Sequence, residues 1–249
     1  MAAMPLLVFL TLPLVVLFFR VDPGALVANL TSPLVFSALR LSLTTGAFAT
    51  LLTVILGTPL AYLLARHHFR GRAIVDTLID LPMILPPAVA GVALLLLLGR
   101  RGLLGPVLDI FGIQIVFTQV AVVIAQLFVA APYFVKSAIA GFADIDLDLE
   151  HAAALDGAGA LEIFRYVTAA LAWPSLVGGA VMTFARALGE FGATIIFAGN
   201  FPGRTQTMPL AIYLGFERDL DLAVTLAFVL LSVSFGVLLV VKWLLRRAG

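Results

Sequence analysis

The chain has no cysteine, lysine only at Lys136 and Lys242, three histidines, and just 12% charged residues over 249 positions. Each shortage excludes something. Without cysteine there is no disulfide framework, no thiolate metal site and no cysteine nucleophile. A soluble domain carries roughly a quarter charged residues, so this chain lacks the surface that water requires. A formal net charge of +1 offers no basic face to nucleic acid. Both lysines follow valine, so there is no Gly-Lys-Ser/Thr phosphate loop for a nucleotide. His67 and His68 sit beside Arg66 and Arg70 with no carboxylate nearby in sequence and read as interfacial rather than metal-binding. No catalytic residue, metal or resident cofactor is expected.

What the chain has in abundance is apolar sequence, 62% hydrophobic residues with 19 Phe, 21 Gly and 13 Pro. Crossing the hydrocarbon takes about 20 apolar residues. Six stretches qualify, at about 2–19, 41–65, 79–99, 115–135, 173–198 and 222–245. None shows the two-residue alternation of a membrane barrel, so the expected class is all-α and polytopic. Residues 1–249 form one membrane domain, with no internal repeat or soluble insert. The opening apolar run lacks a basic segment before it and has Arg20 after it, which favours a retained span over a cleaved signal. With the N-terminus inside, Arg66, Arg70, Arg72, Arg165, Lys242, Arg246 and Arg247 face the cytoplasm, and Arg20, Arg100, Arg101, Arg204 and Arg218 face outside. That positive-inside bias places both termini in the cytoplasm.

One stretch breaks the pattern: DIDLDLEHAAALDGAG, residues 144–159, within a cytoplasmic loop at about 142–165. Asp144, Asp146 and Asp148 supply caps and negative charge suited to a helix N-terminus. LEHAAAL reads as a short helix, ended by Gly157 or Gly159 in a left-handed conformation. ALEIFRYV then starts a second helix that enters the membrane. A calcium loop fails, because Leu149 stands where glycine is needed and Leu155 where glutamate is needed. Two readings stay open on composition alone, a plain connector and a low-sided surface on which a partner docks.

This stretch resembles the "EAA" loop of permeases from ATP-binding-cassette (ABC) importers: Glu-Ala-Ala, three residues, Gly, nine residues, a branched apolar residue, one residue, Leu-Pro. Ala152, Ala153, Gly157 and Val167 match; His151 stands in place of the glutamate, next to Glu150, and Ala169-Ala170 in place of Leu-Pro. DLPMILPPAVAGVALLLLLG and RALGEFGATIIFAGNFPGRTQTMPLAIY also resemble segments of the oxyanion permeases, most closely the molybdate type, and the likeness covers most of residues 36–245. The resemblance implies a permease moving molybdate, or tungstate, by alternating access in a prokaryotic cytoplasmic membrane. It implies a homodimer, two cytoplasmic ATPase subunits that bind the ATP, and an extracytoplasmic oxyanion-binding protein. It also implies that Glu150, His151, Ala152, Ala153, Leu155 and Gly157 couple the chain to the ATPase.

Polar residues inside the apolar spans are the candidates for a pathway or gate. Arg186 and Glu190 are four apart on one helix face, and either neutralise each other or line an anion path. Gly189, Gly192 and Ala193 would let helices approach closely there. Pro86 and Pro87, with Pro82, break a helix, as a gate or as a packed kink. Thr44, Thr45, Thr50 and Thr53 offer hydroxyls to an oxyanion or to their own backbone. Asn200, Thr205, Gln206 and Thr207 lie in an outer loop that suits a binding protein, a passing anion, or plain solvation. A sulfate or thiosulfate permease is the near alternative. An ion-coupled transporter using Glu190 is a more distant one, and a membrane hydrolase fails because every histidine lies outside the spans.

Overall fold

The computed structural model describes residues 4–248, the side chains of residues 25, 241, 242 and 244–248 excepted. Long apolar runs leave the backbone one solution in lipid, which is to satisfy every N–H and C=O within its own segment. Among the described residues there are accordingly helices and no strand. In chain order they are α1 (Met4–Arg20), α2 (Pro23–Leu30), α3 (Pro33–Arg66), α4 (Arg72–Ile84), α5 (Pro87–Leu98), α6 (Gly105–Ile110) and α7 (Gln119–Ala143). Then come α8 (Leu147–Leu155), α9 (Ala160–Ile163), a π-helical turn at Phe164–Thr168, α10 (Ala169–Leu188), α11 (Gly192–Phe197), α12 (Met208–Arg218) and α13 (Leu220–Ala248).

Four stretches are long and apolar enough to cross a membrane: Pro33–Arg66, Gln119–Ala143, Ala160–Leu188 and Leu220–Val240. The expected span at 79–99 is instead two helices, α4 and α5, bent by 115° where Pro86 takes an extended backbone. Pro86 and Pro87 have no N–H to continue a helix, which explains the break. The expected span at 2–19 is α1, whose 17 described residues sit at the lower end of the crossing range; residues 1–3 lie outside the described residues. The span expected at 41–65 begins earlier, because Pro33 at the first helical turn starts α3. That draws Ser37 and Arg40 into a 34-residue helix. The span expected at 173–198 stops at Leu188 and resumes as the short α11. The side chains of Lys242, Arg246 and Arg247, part of the charge count, fall outside the described ones.

α7 is the hub. It packs against α3, α10, α4, α5 and α11, and half of its apolar window is buried, against 22–28% in the other three spans. Small residues permit this approach. A Cβ on Gly57 of α3 would lie 3.0 Å from Phe134, and one on Gly179 of α10 would lie 2.8 Å from Ser137. The outward faces stay greasy, with Ile74, Ile84 and Phe235 exposed, as suits lipid or another membrane chain.

Candidate functional site

The stretch at 144–159 forms the expected short helix. Asp146 caps α8, its carboxylate accepting from the Asp148 N–H at 3.0 Å. Gly157, at φ +93°, ends it, a conformation in which a β-carbon is penalised. Gly159 is extended instead, and its N–H donates to the Glu162 carboxylate at 2.8 Å, starting α9. Leu155 is 89% exposed, His151 and Ala152 are exposed, Ala153 is half-buried, and the space beside Gly157 is open.

Glu150 behaves differently from its neighbours. Its Oε1 lies 2.7 Å from the Arg66 guanidinium and accepts from the Thr168 hydroxyl at 2.7 Å. Arg66 also donates to the Ile145 carbonyl at 3.0 Å. Both charged side chains are almost enclosed, at 8% and 13% exposure. The sequence reading set Glu150 among the docking residues, as a possible stand-in for the glutamate that His151 replaces. In the structure Glu150 turns inward and neutralises a buried arginine that would otherwise lack a counter-charge. The outward carboxylate is Asp148, whose Oδ1 lies 4.0 Å from the His151 ring. Helix α8 is thus fastened to the end of α3 and to the turn leading into α10.

The charges in the 173–198 stretch meet each other. Arg186 lies 2.9 Å from Glu190 Oε2, a close ion pair without hydrogen-bond alignment, and Glu190 is 1% exposed. The other carboxylate oxygen accepts from the Ala193 N–H at 2.8 Å, at the first turn of α11. Neutralisation and capping, rather than an open carboxylate, describe Glu190 in this conformation. A Cβ on Gly192 would fall 2.6 Å from Pro87, and one on Gly91 would fall 2.9 Å from the Ala193 carbonyl oxygen. Pro86, Pro87, Arg186 and Glu190 therefore belong to one junction, where the broken α4–α5 and α10–α11 segments touch. Gly189 does not share in this packing, since a Cβ there would meet only carbonyls of α10.

The loop at 200–207 is not a solvated turn throughout. Phe201 to Arg204 are exposed, whereas Thr205, Gln206 and Thr207 are buried. Gln206 donates to the Asn200 side-chain oxygen at 2.9 Å, and Thr205 accepts from the Phe201 N–H at 3.1 Å. Ser42 of α3 accepts from the Met208 N–H at 2.7 Å and ties the loop to that helix. Thr44, Thr45, Thr50 and Thr53 each donate to a carbonyl one turn back in α3.

Sequence reasoning missed two charge groupings. Lys136 of α7 lies 2.7 Å from Asp76 and 2.9 Å from Asp80 of α4; the signal was two carboxylates spaced i, i+4. Arg66 was read only as a topology marker, and no local pattern points to a partner 84 positions away. Among the described residues, no group of histidines and carboxylates is placed to hold a metal.

Membrane-length helices around one central helix, with an exposed short helix fastened between two of them, are the architecture of a multi-pass membrane protein. Residues 57–248 match the family described as binding-protein-dependent transport system inner membrane component, and the chain belongs to that family. It is 45% identical over 233 residues to the molybdenum transport system permease protein ModB of Mycobacterium tuberculosis, covering 94% of this chain and 88% of that one. It is 34% identical over 245 residues to the molybdate/tungstate transport system permease protein WtpB of Pyrococcus abyssi, covering 98% and 92%. Among solved structures, a bacterial ABC transporter involved in the import of the acidic polysaccharide alginate aligns with TM-score 0.78 at 16% identity, covering 99% of this chain and 92% of that one. The protein is thus a multi-pass membrane component with the ABC permease fold.

Proposed function

We propose that this chain is the permease subunit of an ATP-driven importer carrying molybdate, with tungstate as a companion substrate, into the cytoplasm. The observation that carries the reading is α8, whose His151, Ala152 and Leu155 face outward while Glu150 anchors it to the end of α3. The relatives' names support the choice of oxyanion. Two copies of the chain enclose the path, two ATPase subunits seat the two α8 helices, and an extracytoplasmic binding protein delivers the anion. The charge bias supports cytoplasmic termini. ATP-driven closure of the ATPases shifts α8, and its anchors pass that shift to α3 and α10. The path then alternates between openings, because each state makes contacts that the other lacks. The chain performs no covalent chemistry. Glu190 is a poor coupling acid for an ion-driven alternative, since Arg186 and the Ala193 N–H already hold it.

The test is uptake of labelled molybdate by cells deleted for this chain and by cells with it restored, with tungstate and sulfate as competitors. Restored uptake that tungstate blocks and modest sulfate does not is the expected result. A defect in sulfate uptake alone would move the chain to the sulfate branch, and no oxyanion defect would overturn the reading.

A further inference from the structure

An open groove of about 740 Å³ runs between α3 and the start of α7, with Gly203 of the 200–207 loop at its rim. Arg40, Ser37 and Gln119 line it, and so do Phe48 and Leu52, two to three turns further along α3. On α3 these positions recur every three to four residues, so they share one face. No carboxylate lines the groove.

Arg40 is exposed on the bare chain, and among the described residues its guanidinium has no carboxylate within ion-pair distance. The hydroxyls nearby are already committed: Ser37 and Thr44 donate to carbonyls of their own helix. The free donors facing the groove are therefore the Arg40 guanidinium and the Gln119 carboxamide. At about 1.5 Å per residue, Arg40 lies about 39 Å along α3 from Arg66, which holds the coupling helix. That separation is close to the full thickness of a bilayer with its headgroups, about 40–45 Å. Arg40 thus marks the mouth of the groove on the side opposite α8, and the aromatic and aliphatic side chains behind it form the throat.

We infer that Arg40, with Gln119 beside it, is the oxyanion-contacting element at the outer mouth of the translocation path. This inference rests on the import reading above and adds the residues that admit the anion. An unpaired guanidinium presents several N–H donors in a planar fork matched to tetrahedral oxyanions. A cation-lined cleft with low-dielectric walls also raises the local concentration of anions, by tenfold to a thousandfold in entry rate. The apolar throat gives a hydrated anion no partners, so entry at the mouth does not become leakage.

The absence of cysteine makes the test direct. In the assembled transporter in membranes, Thr44→Cys, one turn below Arg40, introduces the sole thiol of this chain, and the same assembly without the substitution gives the labelling background. Water-soluble anionic and cationic methanethiosulfonates are then compared. The expected result is modification by both reagents, faster by the anionic one, with protection by molybdate. Adding Arg40→Gln should shift the anionic-to-cationic rate ratio about tenfold toward the cation. No modification, or a ratio indifferent to Arg40, would overturn the inference and make Arg40 a lipid-phosphate anchor. Separately, Arg40→Gln in the otherwise unchanged chain should cut molybdate uptake at least tenfold at equal membrane abundance and unchanged ATPase assembly, with Arg40→Lys recovering part of it. Unchanged uptake in Arg40→Gln would also overturn it. If the unmodified chain restores no oxyanion uptake at all, the import reading fails instead.

Discussion

Two arginine–glutamate pairs of nearly equal length, Arg66–Glu150 at 2.7 Å and Arg186–Glu190 at 2.9 Å, do different work. The second joins residues four apart across the end of α10, and its carboxylate also caps α11, so it holds one helix break in shape. The first joins residues 84 apart, takes in Thr168 and the Ile145 carbonyl, and ties a surface helix to the end of a membrane helix. A local pair can stiffen only the segment that contains it. A long-range pair makes two segments move together, which is what transmission from an ATPase to a membrane path requires.

The sharpest break in the comparison is Glu190→Ala. It leaves Arg186 without its counter-charge and the Ala193 N–H without its acceptor, so a stability loss of about 3–5 kcal/mol is expected, read as unfolding temperature and membrane yield. Neutralising both partners, Arg186→Met with Glu190→Met, should recover more than half of it. Recovery of nothing would show that the pair does not act as a unit. Next is Glu150→Ala, expected to cost about 3–5 kcal/mol as well, because it leaves the enclosed Arg66 without its counter-charge. Its uptake should fall more steeply than its abundance, because α8 is detached from α3. The swap Arg66→Glu with Glu150→Arg should restore some uptake, and equal losses of uptake and abundance would reduce the pair to a plain structural bridge. The smallest expected effect on stability is at Gly157, where Gly157→Leu costs about 1–2 kcal/mol for its left-handed backbone. Asparagine tolerates that conformation better. Since the space beside Gly157 is open, Leu should lower ATP-coupled uptake well beyond its stability cost, and Asn should do so less.

The two pairs also divide what was legible in the sequence. Glu190 and Arg186 announced themselves by spacing inside an apolar run, and α8 by its caps, alanines and terminal glycine. Arg66 carried no local mark, so the sequence did not show that Glu150 turns inward to meet it. The broken span at 79–99 was half visible, because three prolines forecast irregularity but not a bend of 115°. Arg40 was missed because the apolar window began one residue after it, at 41, whereas Pro33 starts the helix. Thr205 to Thr207 read as an outer loop open to a binding protein, an anion or solvent, since burial by neighbouring helices leaves no trace in a polar tripeptide.

By itself the sequence determined what solvent composition and local periodicity determine: a helical chain for lipid, its principal apolar segments, the position of the polar short helix, and the i, i+4 charge pair. Those features depend on residues within a turn or two of one another. Only the tertiary structure decided which arginine Glu150 answers, that α7 is the central helix, that Pro87 meets Gly192, and that Arg40 and Gln119 share a groove. Each of these depends on helices far apart in the chain, and their approach is set by the packing of small residues around a common core.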